Sequence, residues 1–264
     1  MSMNICVCVK QVPSANEQRL DPVTGTVIRE GISSILNPFD AYAVEEAVRL
    51  RLKFGGSVSA ISMGVPSAAE TLRRVVAVGV DRAILLTDRA FAGSDTLATA
   101  RALALGIRKL GEMGGGTAAD LILCGKMATD GDTAQVGPML AELLGIPHLT
   151  DVSKIGAVAE ECIEVTRMAD DGYLRARLPL PALLTVVKEI NVPKLPSVAG
   201  VLRGARAEVR VWSAADIGAD PGEVGLSGSK TRVVGTLRPE PRAGCRFLSG
   251  AGELLEVLSK GGRA

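Results

Sequence analysis

Between residues 125 and 135 the chain reads Gly125-Lys126-Met127-Ala128-Thr129-Asp130-Gly131-Asp132-Thr133-Ala134-Gln135, its densest polar stretch. This composition points to binding. Backbone N–H groups converging between a strand and a helix favour an anion. Lys126 adds a charge able to neutralise a phosphate. Asp130 and Asp132 would repel one, so they are expected to cap the following helix or hold ribose hydroxyls. A solvated, well-capped turn is the competing reading. The stretch is neither a G-x-x-x-x-G-K-[ST] loop nor a G-x-G-x-x-G turn. Asp130-Gly131-Asp132 matches a fragment of a calcium loop but lacks the other ligands and the terminal glutamate.

A second polar corner groups Ser94, Asp95, Thr96 and Thr99 just after Gly93. Glycine there admits close approach of a ligand to the backbone; the alternative is an ordinary helix N-cap. A third stretch, Lys10-Gln11-Val12-Pro13, is followed by Leu20-Asp21-Pro22-Val23-Thr24-Gly25-Thr26, with Arg29 nearby. It reads as a turn between short extended segments, or simply a structural hairpin. No G-x-S-x-G elbow is present, and the one histidine, His148, starts a strand and is expected at the surface. The five cysteines, at 6, 8, 124, 162 and 245, form no C-x-x-C pair. With one histidine, no zinc site is expected. They read as reduced, mostly buried thiols of a cytoplasmic protein, with Cys6 and Cys8 on one side of a strand. The chain therefore reads as a binder whose ligand does the chemistry, not as an enzyme.

These corners need elements to position them. Asn4–Val9 is a short apolar run read as a buried strand. Asn37-Pro38-Phe39-Asp40 opens a helix, with Asn37 as cap, Pro38 at its first position and Asp40 at its positive end. Ala41, Val44, Val48 and Leu52 mark its buried face; Glu45, Glu46, Arg49 and Lys53 lie mainly on the other, and Gly55-Gly56 stops it. The unit repeats: strand 57–63, a helix opened by a Ser67–Glu70 capping box, strand 82–87, a helix from Ser94 or Asp95 to about Lys109, strand 121–124 and a helix over 133–144. Such alternation implies right-handed crossovers and a parallel sheet covered on both faces. Ligands of such sheets bind beyond the carboxyl ends of the strands, here in loops 10–37, 63–67, 87–95 and 125–133.

After Pro147 the texture changes. Residues 150–158, 162–168 and 173–178 read as short β segments with a turn at Asp170-Asp171-Gly172, and 183–187 as a buried strand. Residues 190–204 read as an exposed loop, 218–244 as an extended arm and 252–259 as a final short helix. So long an irregular arm points to packing on another chain.

Composition narrows the classes further. The 264 residues suffice for one large domain, and 30 basic against 29 acidic residues give a net charge of +1. Near-neutrality and 3% aromatics disfavour a nucleic-acid binder. No apolar run approaches a membrane span, and the N-terminus lacks the marks of a signal peptide.

The residues resemble the beta (small) subunit of electron transfer flavoproteins nearly end to end. The matching pieces are Val9-Lys10-Gln11-Val12-Pro13, Asn37-Pro38-Phe39-Asp40 with Ala43-Val44-Glu45-Glu46-Ala47, Met63-Gly64, the 125–137 loop with its Asp130-Gly131-Asp132-Thr133-Ala134-Gln135-Val136-Gly137 core, and Leu195-Pro196. The resemblance implies an α/β fold, a mostly parallel doubly wound sheet of the adenine-nucleotide alpha hydrolase type. It implies a nucleotide-binding domain over 1–220 and an arm over 221–264 packing on the alpha subunit. Cys8, Asn37, Pro38, Phe39, Asp40, Met63 and Gly64 would line the adenosine pocket. Gly125, Lys126, Met127, Asp130, Gly131, Asp132, Thr133, Ala134, Gln135 and Val136 would wrap the AMP half. Asp95, Thr96 and Thr99 would approach a flavin, and Leu195 with Pro196 would dock a dehydrogenase.

In this family the subunit holds either AMP or, in bifurcating and nitrogen-fixation-linked members, a second FAD. The 20–26 and 88–99 stretches are similar to the latter, so FAD is expected, with AMP as the alternative. The implied function is electron transfer within a heterodimer with the alpha subunit. Its partners would be NADH, a dehydrogenase or quinone reductase, and ferredoxin or flavodoxin. An ATP-using α/β enzyme and a ligand-free scaffold are the rivals from other classes. Two departures stand out: Met127 replaces the family's usual glutamine, removing an amide from the nucleotide loop, and Asp151 replaces an aromatic, which is expected to alter the subunit seam.

Overall fold

A computed structural model describes residues 2–14, 19–20, 27–28, 34–113, 119–235, 244 and 247–259. The first strand, β1 (Met3–Cys8), leads through β2 (Gln11–Pro13), the two-residue pair β3 (Arg19–Leu20) and β4 (Val27–Ile28), and β5 (Ser34–Leu36) into helix α1 (Pro38–Phe54). Strand β2 pairs antiparallel with β5, and β3 with β4. The expected turn over 21–26, Arg29 and Cys245 lie outside the described residues.

The alternation then runs β6 (Gly56–Met63), α2 (Ala68–Val78), β7 (Arg82–Leu86), α3 (Thr96–Met113), β8 (Leu121–Gly125) and α4 (Val136–Leu144). Next come β9 (His148–Val158), β10 (Cys162–Ala169), β11 (Gly172–Pro179) and β12 (Ala182–Val186). The chain closes with α5 (Val198–Arg206), β13 (Val209–Trp212), α6 (Gly225–Gly228) and α7 (Ala251–Ser259). One nine-stranded sheet orders them β11-β10-β9-β12-β8-β1-β6-β7-β13. All its neighbours pair parallel except β9-β10 and β10-β11.

Period-two alternation separates two cores. Ile5 and Val7 of β1 and Leu121 and Leu123 of β8 pack with Val44, Leu72 and Val75 under α1 and α2. Cys6, Cys8, Ile122 and Cys124 face the other way, with Leu103, Ile107 and Leu140 of α3 and α4. The expected common orientation of Cys6 and Cys8 holds, and Cys6, Cys8 and Cys124 are buried free thiols. Gly106 lets α3 lie close to the sheet: a methyl there would stand 2.8 Å from Ile61 Cδ1.

Several local expectations are corrected. Asn37 precedes α1 but makes no side-chain cap bond, and neither does Ser67 before α2. Ser67 Oγ instead donates to Gln11 Oε1 at 3.2 Å, so the anticipated capping box does not form. On α1, Val44 and Val48 are buried and Arg49 and Lys53 exposed as expected, but Leu52 is 70% exposed, and Glu45 and Glu46 are buried because residues 191–194 cover them. The stretch 190–204 is not all loop. It holds most of α5, whose Gly204 rests against α2 with a notional methyl 2.9 Å from Ala77 Cβ. Strand β13, absent from the sequence reading, forms the sheet edge beside β7. Helix α7 forms where a final short helix is expected.

Candidate functional site

The parallel strands deliver their carboxyl ends to one edge. Cys8 ends β1, in register with Cys124 on one side and Ile61 on the other. Met63 ends β6, and the Gly64 amide donates to Leu86 O at 3.0 Å, closing the turn after β6 onto the end of β7. Gly125 ends β8 with no room for a side chain: a methyl there would stand 2.6 Å from the Phe39 carbonyl carbon. The start of α1 thus sits directly on the start of the 125–135 loop.

Asn37 binds that loop. Its Nδ2 donates to Met127 O at 2.9 Å and to Asp40 Oδ1 at 2.9 Å, and its Oδ1 accepts the Thr129 amide at 3.2 Å. Met127 therefore serves through its carbonyl, which any residue supplies. Asp40 is buried and accepts the Lys10 amide at 2.7 Å. Burial raises its carboxyl to about 7, opposed in part by hydrogen bonds from Asn37, Lys10 and Gly125. Lys10 Nζ crosses to Asp130 Oδ1 at 2.7 Å, tying the turn after β1 to the tip of the loop.

Helix α4 begins at Val136, not Thr133. Asp132 and Ala134 hold φ of 53° and 54°, and left-handed residues cannot continue a right-handed helix. Left-handed residues alternating with ordinary ones turn successive N–H groups into an anion-binding concavity. The amides of Thr133, Ala134, Gln135, Val136 and Gly137 have no hydrogen-bond partner among the described residues. They lie at the positive end of a nine-residue helix. This donor set fits a nucleotide phosphate. Asp132 does not cap α4, and Asp130 is held by Lys10.

Lys126, expected to face a phosphate, is paired instead. Its Nζ lies 2.7 Å from Asp151 Oδ1, an ion pair out of line for a hydrogen bond, and Arg167 approaches the other Asp151 oxygen at 3.8 Å. Asp151 itself has φ of 57°.

The second corner joins the first. Thr96 Oγ1 donates to Gln135 Oε1 at 3.0 Å. Asp95 is the cap of α3: Oδ1 accepts the Ala98 amide at 3.0 Å, while Oδ2 accepts Lys230 N, Thr231 N and Thr231 Oγ1 at 2.7, 2.8 and 3.1 Å. Burial pushes its carboxyl up, but these donors outweigh burial and hold it below the usual range. Both oxygens are thus committed within the chain. Thr99 is half-buried one turn into α3.

The edge therefore gathers Cys8, Asn37–Asp40, Met63, Gly64, Asp95, Thr96, Thr99 and 125–136. Leu195 and Pro196 stand apart, on the outer side of α1, with Leu195 92% exposed. Sequence reasoning missed Cys124, whose register with Cys8 places a thiol pair in the floor of the edge. Contact with Cys8 and burial push the Cys124 thiol well up; at Cys8 the bond to Cys124 acts downward but is outweighed by Cys6 and burial. Both stay protonated near neutral pH. His148 is exposed, as expected. No helix among the described residues is long and apolar enough to cross a membrane.

Comparison with known proteins gives the family. Residues 24–217 match the electron transfer flavoprotein domain. The chain is 48% identical to the electron transfer flavoprotein subunit beta of Thermoanaerobacterium thermosaccharolyticum over 258 residues, covering 97% of this chain and 96% of the relative. It is 47% identical to Protein FixA of Azorhizobium caulinodans over 244 residues, 91% and 86% of the two chains. It is 43% identical to the caffeyl-CoA reductase–Etf complex subunit CarD of Acetobacterium woodii over 265 residues, 98% of each.

Proposed function

Because the chain belongs to the electron transfer flavoprotein family as a beta-type subunit, we propose that it holds FAD at the carboxyl edge of its sheet. In the cytoplasm, together with an alpha subunit, it would pass electrons between NADH or dehydrogenases and ferredoxin- or quinone-linked acceptors by flavin bifurcation. When bound, the flavin supplies the redox chemistry; the protein binds, orients and shields it.

The observation that carries the FAD reading is the Thr96–Gln135 hydrogen bond. It makes one continuous polar wall of two corners, and an adenine nucleotide on the 125–136 loop needs only one of them. In this arrangement the amides of 133–137 take the phosphates, and Asn37 and Asp40 fix the loop that closes on the adenosine half. The Thr99 hydroxyl and the acceptor lone pairs of Thr96 Oγ1, on one face of α3, are left for the flavin edge. The relative named as part of a caffeyl-CoA reductase–Etf complex supports work within a larger redox assembly.

The full occupancy of the Asp95 carboxylate favours the second reading, a passive subunit that holds AMP, since one side chain of the second corner has a purely structural duty. Identifying the nucleotides released on denaturing the purified heterodimer separates the two. Two FAD per heterodimer are expected; one FAD and one AMP would establish the passive reading.

Leu195 with Pro196 is the docking point for a dehydrogenase: an exposed leucine beside a proline offers an anchor to a partner's pocket. The arm assigned to 221–264 serves the alpha subunit. Val224 is buried in the body and 229–231 are tied to Asp95, so the segment is held to the body as far as Thr231. Val233, Val234, Phe247 and Leu255, all more than half exposed, are the side chains a partner would cover.

A further inference from the structure

Helix α1 buries two carboxylates that the nucleotide edge does not use. Glu45 and Glu46 are 3% and 6% exposed. A carboxylate removed from water weakens the fold unless it is paired or hydrogen-bonded. One short stretch satisfies both. Glu45 Oε2 accepts the Lys194 amide at 3.2 Å, and Lys194 Nζ stands 3.8 Å from Oε1. Glu46 Oε2 accepts Asn191 Nδ2 at 3.0 Å and Arg49 at 3.0 Å, and Asn191 Nδ2 also reaches Tyr42 O at 3.0 Å.

The same stretch turns its apolar side chains outward: Val192 is 84%, Leu195 92% and Val198 81% exposed. An ordinary surface loop does the opposite. Here polar atoms are spent on holding the backbone, and the apolar ones are displayed. A display of this kind lowers the ordering cost of association, because the loop already has its bound shape.

We propose that Glu45 and Glu46 are positioning residues that hold the 191–197 loop in the shape in which Leu195 engages an electron-transfer partner; this rests on the docking role given to Leu195 above. Neither glutamate touches the partner. Loosening either one lets the loop wander, so docking weakens while electron transfer within the docked complex keeps its rate.

The test uses the heterodimer with the dehydrogenase it serves and, separately and without dehydrogenase, the photoreduced heterodimer with 2,6-dichlorophenolindophenol as a small acceptor that needs no docking loop. In Glu45→Ala or Glu46→Ala, hydrogen exchange of the Lys194 amide, which Glu45 accepts, should quicken about tenfold, the scale of one lost hydrogen bond. KM for the dehydrogenase should rise by a similar factor with kcat unchanged, while dye reduction and bound nucleotide match wild type. Glu45→Gln and Glu46→Gln should recover most of the loss, because a carboxamide oxygen still accepts from Lys194 N or Asn191 Nδ2. Where an alanine variant fails to fold, Asn191→Ala removes the donor from the loop side and carries the same expectations. Unchanged loop exchange, or glutamine variants no better than alanine, would overturn the proposal. Leu195→Ala runs in parallel. Wild-type transfer by that variant overturns the docking role, and the proposal with it; slow transfer beside unchanged exchange in the glutamate variants overturns the positioning role alone.

Discussion

Thr96 Oγ1 donates to Gln135 Oε1 across 3.0 Å, and this contact joins the start of α3 to the loop that precedes α4. Thr96→Val keeps the shape of the side chain and removes the donor. A lost hydrogen bond costs about 0.5–1.5 kcal/mol, so flavin affinity should fall about 2- to 13-fold, or the flavin absorbance should shift. The melting temperature should stay near that of wild type. Titration of apoprotein with FAD measures the affinity; an unaltered affinity and spectrum would remove Thr96 from the site.

Asp40 gives the protein a pH dependence of definite sign. Its carboxyl titrates near 7 folded and near 3.8 unfolded, so between those values the folded state holds a proton that the unfolded state has released. The stabilisation is complete below about pH 4 and is lost as pH rises through 7, with a slope of about 1.4 kcal/mol per pH unit around pH 5–6. Asp40→Asn cannot titrate. Urea unfolding at pH 5, 6 and 7 should show wild type losing stability relative to Asp40→Asn at that slope from pH 5 to 6 and more gently from 6 to 7; parallel curves would mean that Asp40 is ionised throughout.

Asp151 competes with any phosphate for Lys126, from which it stands 2.7 Å. Asp151→Asn suits the left-handed backbone at this position and releases the lysine. Both partners are partly exposed, and such pairs are worth at most about 1 kcal/mol. Nucleotide affinity should therefore rise no more than about fivefold at low salt, and the gain should vanish at high salt as charges are screened. Isothermal titration at two ionic strengths reads both effects. Weaker binding in the variant would show that Asp151 serves the site rather than restraining it.

The C-terminal segment should divide into two parts at Thr231. Truncation after Thr231 keeps the bonds to Asp95 and the buried Val224, so the melting temperature should hold while co-purification with the alpha subunit is lost. Truncation after Glu223 removes those contacts as well and should lower the melting temperature by several degrees. Retained heterodimer in the first truncation would take the arm out of the interface.

The parallel sheet and the loops at its carboxyl edge were legible because strand runs and helix faces alternate cleanly from Met3 to Leu144. What escaped were features set by distant partners. Asn37 has the sequence of a cap, yet it spends its amide on Met127 and Thr129 some ninety positions away. Glu45 and Glu46 occupy polar positions of an amphipathic pattern but are covered by a loop that periodicity cannot see. Strand β13, only four residues long with two of them exposed, carries too weak an alternation to separate from a loop. The register of Cys8 with Cys124 exists only once β1 and β8 are neighbours.

Helix α1 also acts as a ruler. Asn37 and Asp40 grip the loop after β8 at one end, and Glu45 and Glu46 grip the 191–194 stretch further along. At about 1.5 Å of rise per residue, roughly 12 Å of rigid rod separates Asn37 from Glu45. The distance between the candidate nucleotide edge and the proposed docking loop is thus fixed by a count of residues. Inserting one residue between Asp40 and Glu45 would swing both glutamates by about 100° and lengthen the rod by a single rise. Substitutions along the rod are tolerated in principle, but a change of its length unhooks one grip or the other.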